Sequence, residues 1–239
     1  MIQPVRHAPA RTTALQYRAM PAALLFDAIK AGDLDGVKAL LTADPALVDA
    51  KTDAGVSAIL TAVYHGRRDI ANLLVARGAT LTLFEASAAG EVERAERLLD
   101  ADVAAIGAYG ADGWTALHLA AFFGHHRLAE LLLERGADPR AVSRNANANT
   151  PLHAALAGGH VMTAGLLLGR GADVNAADGE GWRPLHIAAA GQAPLDLLKA
   201  LVAQGADVRA TNKAGHTAME VALRQNRAEA AAFLKRYEG

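Results

Sequence analysis

The sequence contains no cysteine. That excludes disulfides, zinc–thiolate centres and cysteine nucleophiles, and it fits a reducing compartment. An excess of one charge is also missing: 24 Lys and Arg meet 25 Asp and Glu, for a net charge of −1. No global field therefore recruits nucleic acid or an anionic membrane. Hydrophobic residues reach 52%, but alanine supplies about a quarter of the chain. No stretch approaches the ~18 consecutive large apolar residues of a membrane span. The first residues carry Arg6, His7, Arg11 and Arg18 with no acid and no compact apolar core, so they do not read as a secretory signal. The expectation from these absences is a cytoplasmic monomer without cofactor or metal. Aromatic residues make up only 5% of the sequence, so where they gather becomes informative.

What is present is a repeated phrase. Gly113-Trp-Thr-Ala-Leu-His118 runs on to Gly124-His125 and closes with Leu131-Leu-Leu-Glu-Arg-Gly136-Ala-Asp138. Asn149-Thr-Pro-Leu-His153, Gly159-His160 and Leu166-Leu-Leu-Gly-Arg-Gly171 form the next copy, and Gly181-Trp-Arg-Pro-Leu-His186 with Gly205-Ala-Asp-Val208 the one after. His118, His153 and His186 lie 35 and 33 residues apart. A period near 33 with a Thr-Pro-Leu-His turn predicts stacked helical hairpins. Each element of the phrase has a physical use. Glycine takes positive φ at the turn. Thr caps the inner helix, and Pro opens it where its missing N–H is harmless. Paired alanines let inner helices approach, and leucine triplets bury the outer ones.

At these residues the chain resembles the ankyrin-repeat family, over nearly all of residues 22–239. The resemblance implies an all-α solenoid of about seven helix-turn-helix units, near residues 22–52, 53–80, 81–110, 111–145, 146–178, 179–212 and 213–239. It implies turn histidines that bond between neighbouring loops, so His118, His153 and His186 read as structural and not as metal ligands. It also implies a non-catalytic protein–protein interaction module, with its partner on the finger tips and the exposed positions of the inner helices.

Ahead of the repeats, residues 1–19 read as a flexible or loosely docked tail, and Met20-Pro21 stands where the first helix is expected to begin. Asp33 is a good N-cap for the second helix. One spacing breaks the pattern. Gly32 to Gly66 and Gly90 to Gly124 are both 34 residues, but Gly66 to Gly90 is 24. The missing ten correspond to the projecting turn between the second and third units, so one finger is expected to be absent and to leave a notch. Ala190-Gly-Gln-Ala-Pro194 adds one residue between the helices of the sixth unit, a loop adjustment.

Carried over residue by residue, the exposed positions are Tyr64-His65, Ala88-Ala89 and Phe122-Phe123 at the ends of inner helices, and Trp114, Trp182 and His216 at the turns. Tyr64, His65, Trp114, Phe122, Phe123 and Trp182 are therefore the candidate partner-binding residues, with Ala88-Ala89 as a floor between two walls. Exposed aromatic clusters mark interaction sites. His125-His126 reads as a solvent-facing pair. No phosphate loop, nucleophile elbow or metal-binding spacing occurs. Only His65 and Glu85 offer titratable groups near the notch, so an enzyme or small-molecule binder there is the weakest rival. The others are a dedicated regulator or inhibitor of one enzyme and a secreted effector acting on host proteins.

Overall fold

Fourteen α-helices follow one another in the computed structural model, which describes residues 14–191 and 193–237, with side chains from Pro21 onward. No strand occurs among the described residues, and none of their helices is long and apolar enough to cross a membrane. Residues 1–13 of the expected tail lie outside the described residues. The first helix, α1 (Ala14–Ala31), begins ahead of Met20 and holds Pro21 in its interior. Met20-Pro21 is therefore not the helix start. A fixed φ near −65° is itself helical, so proline forgoes one backbone bond while good helix formers on both sides carry the helix through it.

The chain divides into two compact units, one ending at Thr80 and the other beginning at Leu81. In the first unit α1 packs on α2 (Leu34–Ala43) and on α3 (Ala58–Tyr64), and α4 (Arg68–Ala76) packs on both α2 and α3. Leu25, Ile29, Val37, Ile59, Ile70 and Leu74 fill its interior. Burying each such side chain is worth about 1.5–3 kcal/mol. Asp33 caps α2 as the sequence predicts, accepting from the Gly36 N–H at 2.9 Å. The Arg67 guanidinium donates to the Lys30 carbonyl at 2.8 Å and so closes the end of α1.

Between α4 and α5 (Leu83–Ala89) the chain passes through residues 77–82 with no paired turn. Elsewhere the bridges Lys51↔Ser57, Tyr109↔Thr115 and Thr211↔Thr217 pinch projecting turns. The finger that the short spacing predicts to be missing is missing. Gly78, at φ 85°, and the capping box of Thr82 with Glu85 stop one helix and start the next within those few residues.

The second unit alternates inner and outer helices. The inner ones are α5, α7 (Ala116–Phe122), α9 (Pro151–Ala157), α11 (Pro184–Ala190) and α13 (Ala218–Arg224), each packed on the next. The outer ones are α6 (Val92–Ala101), α8 (His126–Glu134), α10 (Val161–Gly169), α12 (Leu195–Ala203) and α14 (Ala228–Lys235). One core runs through the unit from Leu83 to Leu234. Ala120, Ala154 and Ala188 are wholly buried in it, as small residues must be where backbones approach closely. Leu128, Leu132, Leu167 and Leu198 fill it from the outer helices and are equally buried. On the outside, Arg135 reaches Asp100 at 2.7 Å and Glu96 at 3.0 Å on the preceding outer helix. Such exposed pairs are worth about 0–1 kcal/mol.

Two local features have measurable consequences. The loop enlarged at Ala190–Pro194 is tied down by Arg227, whose guanidinium donates to the carbonyls of Ala188 at 2.5 Å, Ala189 at 3.3 Å and Ala193. Arg227→Ala strands these acceptors, and charged hydrogen bonds are worth about 1.5–3 kcal/mol. We expect a loss of roughly 2 kcal/mol in urea unfolding, whereas Lys213→Ala, at an exposed site, should be near neutral. The second feature is Ala148. It stands where the other turns carry Gly55, Gly113, Gly181 and Gly215, and it takes φ 44°. An L-residue in this region costs about 1–2 kcal/mol, and glycine returns part of that through its flexible unfolded chain. Ala148→Gly should therefore raise stability by about 0.5–1 kcal/mol, read as a higher urea midpoint at unchanged slope.

Candidate functional site

The turns of the second unit are fixed by three histidines. Thr115 caps α7, and both its N–H (3.3 Å) and its hydroxyl (2.8 Å) meet Nδ1 of His118. The opposite nitrogen, Nε2, lies 3.0 Å from the Asn149 carbonyl of the next turn. A carbonyl can only accept, so Nε2 carries the proton and Nδ1 is the acceptor. His153 repeats this between Thr150 and the Trp182 carbonyl, and His186 between the Arg183 N–H and the His216 carbonyl. Burial holds His118 down at about 4 from the ordinary 6.5, against its bond to Asn149 and the charge of Asp112, with His153 adding to the lowering. His153 and His186 are lowered for the same first reason. The histidines are structural, as the resemblance implies. Where the series starts, Glu85 takes the equivalent position, and its carboxylate accepts from the Thr82 N–H at 3.0 Å. It is buried in a capping box and presents no free acid.

The six candidate residues fall on different units. Tyr64 is the last residue of α3 and 41% exposed, and His65 follows it as the exposed cap residue; both belong to the first unit. The other four lie in the second and are half-buried. Three of these come together. Trp114 meets Phe122 edge to face at 5.3 Å between ring centres, and Phe122 meets Phe123 at 5.1 Å and 85°. Trp182 stands apart from them and packs on the ring of His186 at 6.1 Å. Trp114 packs likewise on His118, at 5.8 Å. Each tryptophan thus covers the buried histidine four residues on. The repeated Trp-x-x-x-His spacing carried that signal, and sequence reasoning did not use it.

Two readings are corrected. Ala88 is no exposed floor: it is 1% exposed, and its carbonyl takes the His125 Nε2–H at 2.9 Å. The reason is register. The cap Thr82 lies eight residues before the turn at Gly90, where Thr115 lies nine before Gly124. Ala88 therefore matches the buried Ala121 and not Phe122. His125-His126 is likewise not a solvent-facing pair. His125 bonds back to the preceding inner helix, and His126 is half-buried with Nδ1 shut off from solvent. His125 and Arg67 do the same work from the same position, each just after a turn glycine.

No group of three His, Asp or Glu residues suited to a metal ion occurs among the described residues. What the second unit offers is a firmly spaced row of turns with an aromatic ridge at one point along it. Residues 83–178 and 166–239 match a family model described as ankyrin repeats (3 copies). No curated protein matches the chain. The matched segments together span most of the sequence and coincide with the hairpin stack of the second unit, and the chain belongs to the ankyrin-repeat family.

Proposed function

We propose that this chain is a non-catalytic protein-binding module that holds its partner on the ridge of Trp114, Phe122 and Phe123. Ankyrin repeats are in general protein–protein interaction modules. The observation that supports this ridge is the joining of three large aromatic rings in half-buried positions, in a chain with few aromatics. Rings held by one another lose little freedom when a partner covers them, and aromatic anchors of this kind dominate binding energy. Trp182 adds a further contact in the second unit, and Tyr64 and His65 do so in the first. The seven-unit organisation, the single-chain state and the cytoplasmic location belong to the same reading.

The test is site-specific crosslinking in the native cell. A photoreactive residue at Phe123 should capture one protein, and the same residue at Val103, 67% exposed and remote in sequence, should not. Phe122→Ala on the Phe123 probe should abolish the capture. Equal capture from both positions would refute the assignment of the face.

A further inference from the structure

Three helices are capped by an arginine that stands directly before a turn glycine. Arg77 follows α4, Arg135 follows α8 and Arg170 follows α10. Two of these arginines reach back to a pair of acids. Arg135 meets Glu96 and Asp100 on α6, and Arg170 meets Glu130 at 3.5 Å and Glu134 at 3.9 Å on α8. Both pairs stand six and ten residues beyond a turn glycine: Gly90 to Glu96 and Asp100, and Gly124 to Glu130 and Glu134. Residues four apart share one face of a helix, so each pair forms a single clamp. On α10 the same two positions, counted from Gly159, hold Gly165 and Gly169, and the next outer helix, α12, is capped by Gln204 and not by an arginine.

Arg77 is the exception. α4 packs on α2, where the positions six and ten residues beyond Gly32 are Lys38 and Thr42. The acids are replaced by a cation and a hydroxyl, and among the described residues no carboxylate pairs with Arg77. With Leu41, Thr42 and Pro45 it lines an open cleft of about 340 Å³, wholly within the first unit. The acids of this region are engaged elsewhere. Asp35 holds Lys38 at 3.0 Å in an exposed pair, Asp44 accepts from the Ala46 N–H at 3.1 Å, and Asp49 accepts from the Thr80 N–H at 2.7 Å. The cleft therefore offers three complementary groups. The Arg77 guanidinium is a fork suited to a carboxylate. Leu41 and Pro45 are an apolar wall. The Thr42 hydroxyl already donates to the Lys38 carbonyl at 2.7 Å, so only its lone pairs remain, an acceptor for an N–H.

We propose that this cleft docks an acidic peptide segment of a protein partner. One carboxylate of the segment takes the place at Arg77 that Glu96 and Asp100 hold at Arg135, a neighbouring aliphatic side chain covers Leu41 and Pro45, and a peptide N–H meets Thr42. A bare anion would use the arginine alone and leave the wall and the acceptor unmet. The site is separate from the aromatic ridge and does not depend on it.

The probe is acetyl-Leu-Glu-amide, titrated into the full chain labelled at arginine side chains and leucine methyls. The Arg77 Nε–H and the Leu41 methyls should move together and saturate, while the Nε–H signals of Arg135 and Arg170, already held by acids, stay in place. Acetyl-Leu-Gln-amide has the same shape without the charge and should bind about tenfold more weakly. Arg77→Gln should abolish the Leu41 response. Lys38→Glu with Thr42→Asp restores on α2 the acid pair of α6 and α8 and should close the site from within, so that the peptide no longer binds. These three positions are exposed, and amide spectra check that each variant is folded; if one is not, the two peptides on the wild type decide. Equal shifts at Arg77, Arg135 and Arg170, equal affinity for the glutamine peptide, or no saturable shift at Arg77 overturns the site. Inorganic phosphate that moves Arg77 and Leu41 as far as the acidic peptide does at equal concentration also overturns it, leaving a simple anion contact.

Discussion

Replacing Phe122 or Phe123 with alanine should weaken partner capture by roughly 2 kcal/mol or more, about thirtyfold in affinity, while leaving the fold in place. Leu132→Ala should do the reverse. Leu132 is 0% exposed and lies within the continuous core of the second unit. Its truncation removes transfer energy and leaves a cavity, for a cost of about 2–5 kcal/mol. The phenylalanines are half-buried and gain part of their contact from one another and from Trp114. Removing one ring exposes the others to water and opens no sealed cavity, so the cost to the fold stays below that of the leucine. The measurement is paired: urea unfolding for stability, and affinity for the crosslinked partner at a concentration where each variant is folded. If Phe123→Ala destabilises as strongly as Leu132→Ala and the folded fraction still binds normally, the ring is a core residue and the assignment fails.

Much of the fold is legible in the sequence because the repeat restates the same physics several times. Gly113, Gly181 and Gly215 mark left-handed turns, and Thr115, Thr150 and Thr217 cap the helices that follow. The missing finger is legible from glycine spacing alone. What the sequence conceals is of two kinds. One is register: α5 runs directly into its turn glycine, Gly90, where α7 has Phe123 in between, so Ala88 takes the buried position of Ala121, and no composition rule detects a shift that small. The other is long-range backbone bonding. Arg67, His125 and Arg227 look like surface residues after a turn, yet each reaches 34 to 39 residues back to close the end of an earlier inner helix. Their partners are carbonyls, which every residue carries, so side-chain identity gives no hint of the pairing. The aromatic ridge sits between these cases. Phe122-Phe123 is plain in the sequence. That Trp114 joins it while Trp182 covers His186 alone follows from the packing of each turn.

Acid should destabilise this protein well before its carboxylates are protonated. The sign follows from the histidines. His118 is held at about 4 in the folded chain, below the ordinary 6.5 of the unfolded one. The unfolded state therefore binds the proton more readily, and folding stability is complete above pH 6.5 and lost as the pH falls toward 4. For His118 alone the loss is about 2 kcal/mol at pH 5 and approaches roughly 3 kcal/mol below its folded value. His153 and His186 are lowered as well and act in the same direction. Urea midpoints at pH 7, 6 and 5 should therefore fall steadily, and the fall should become shallower in His118→Gln even though that variant starts from lower stability at pH 7. The wild type would lose its advantage as the pH drops, and the two curves should converge near pH 4, where the imidazole's contribution is spent. Parallel curves, with the glutamine variant keeping a constant deficit across the range, would place the acid sensitivity in other groups and leave His118 as an ordinary neutral contact.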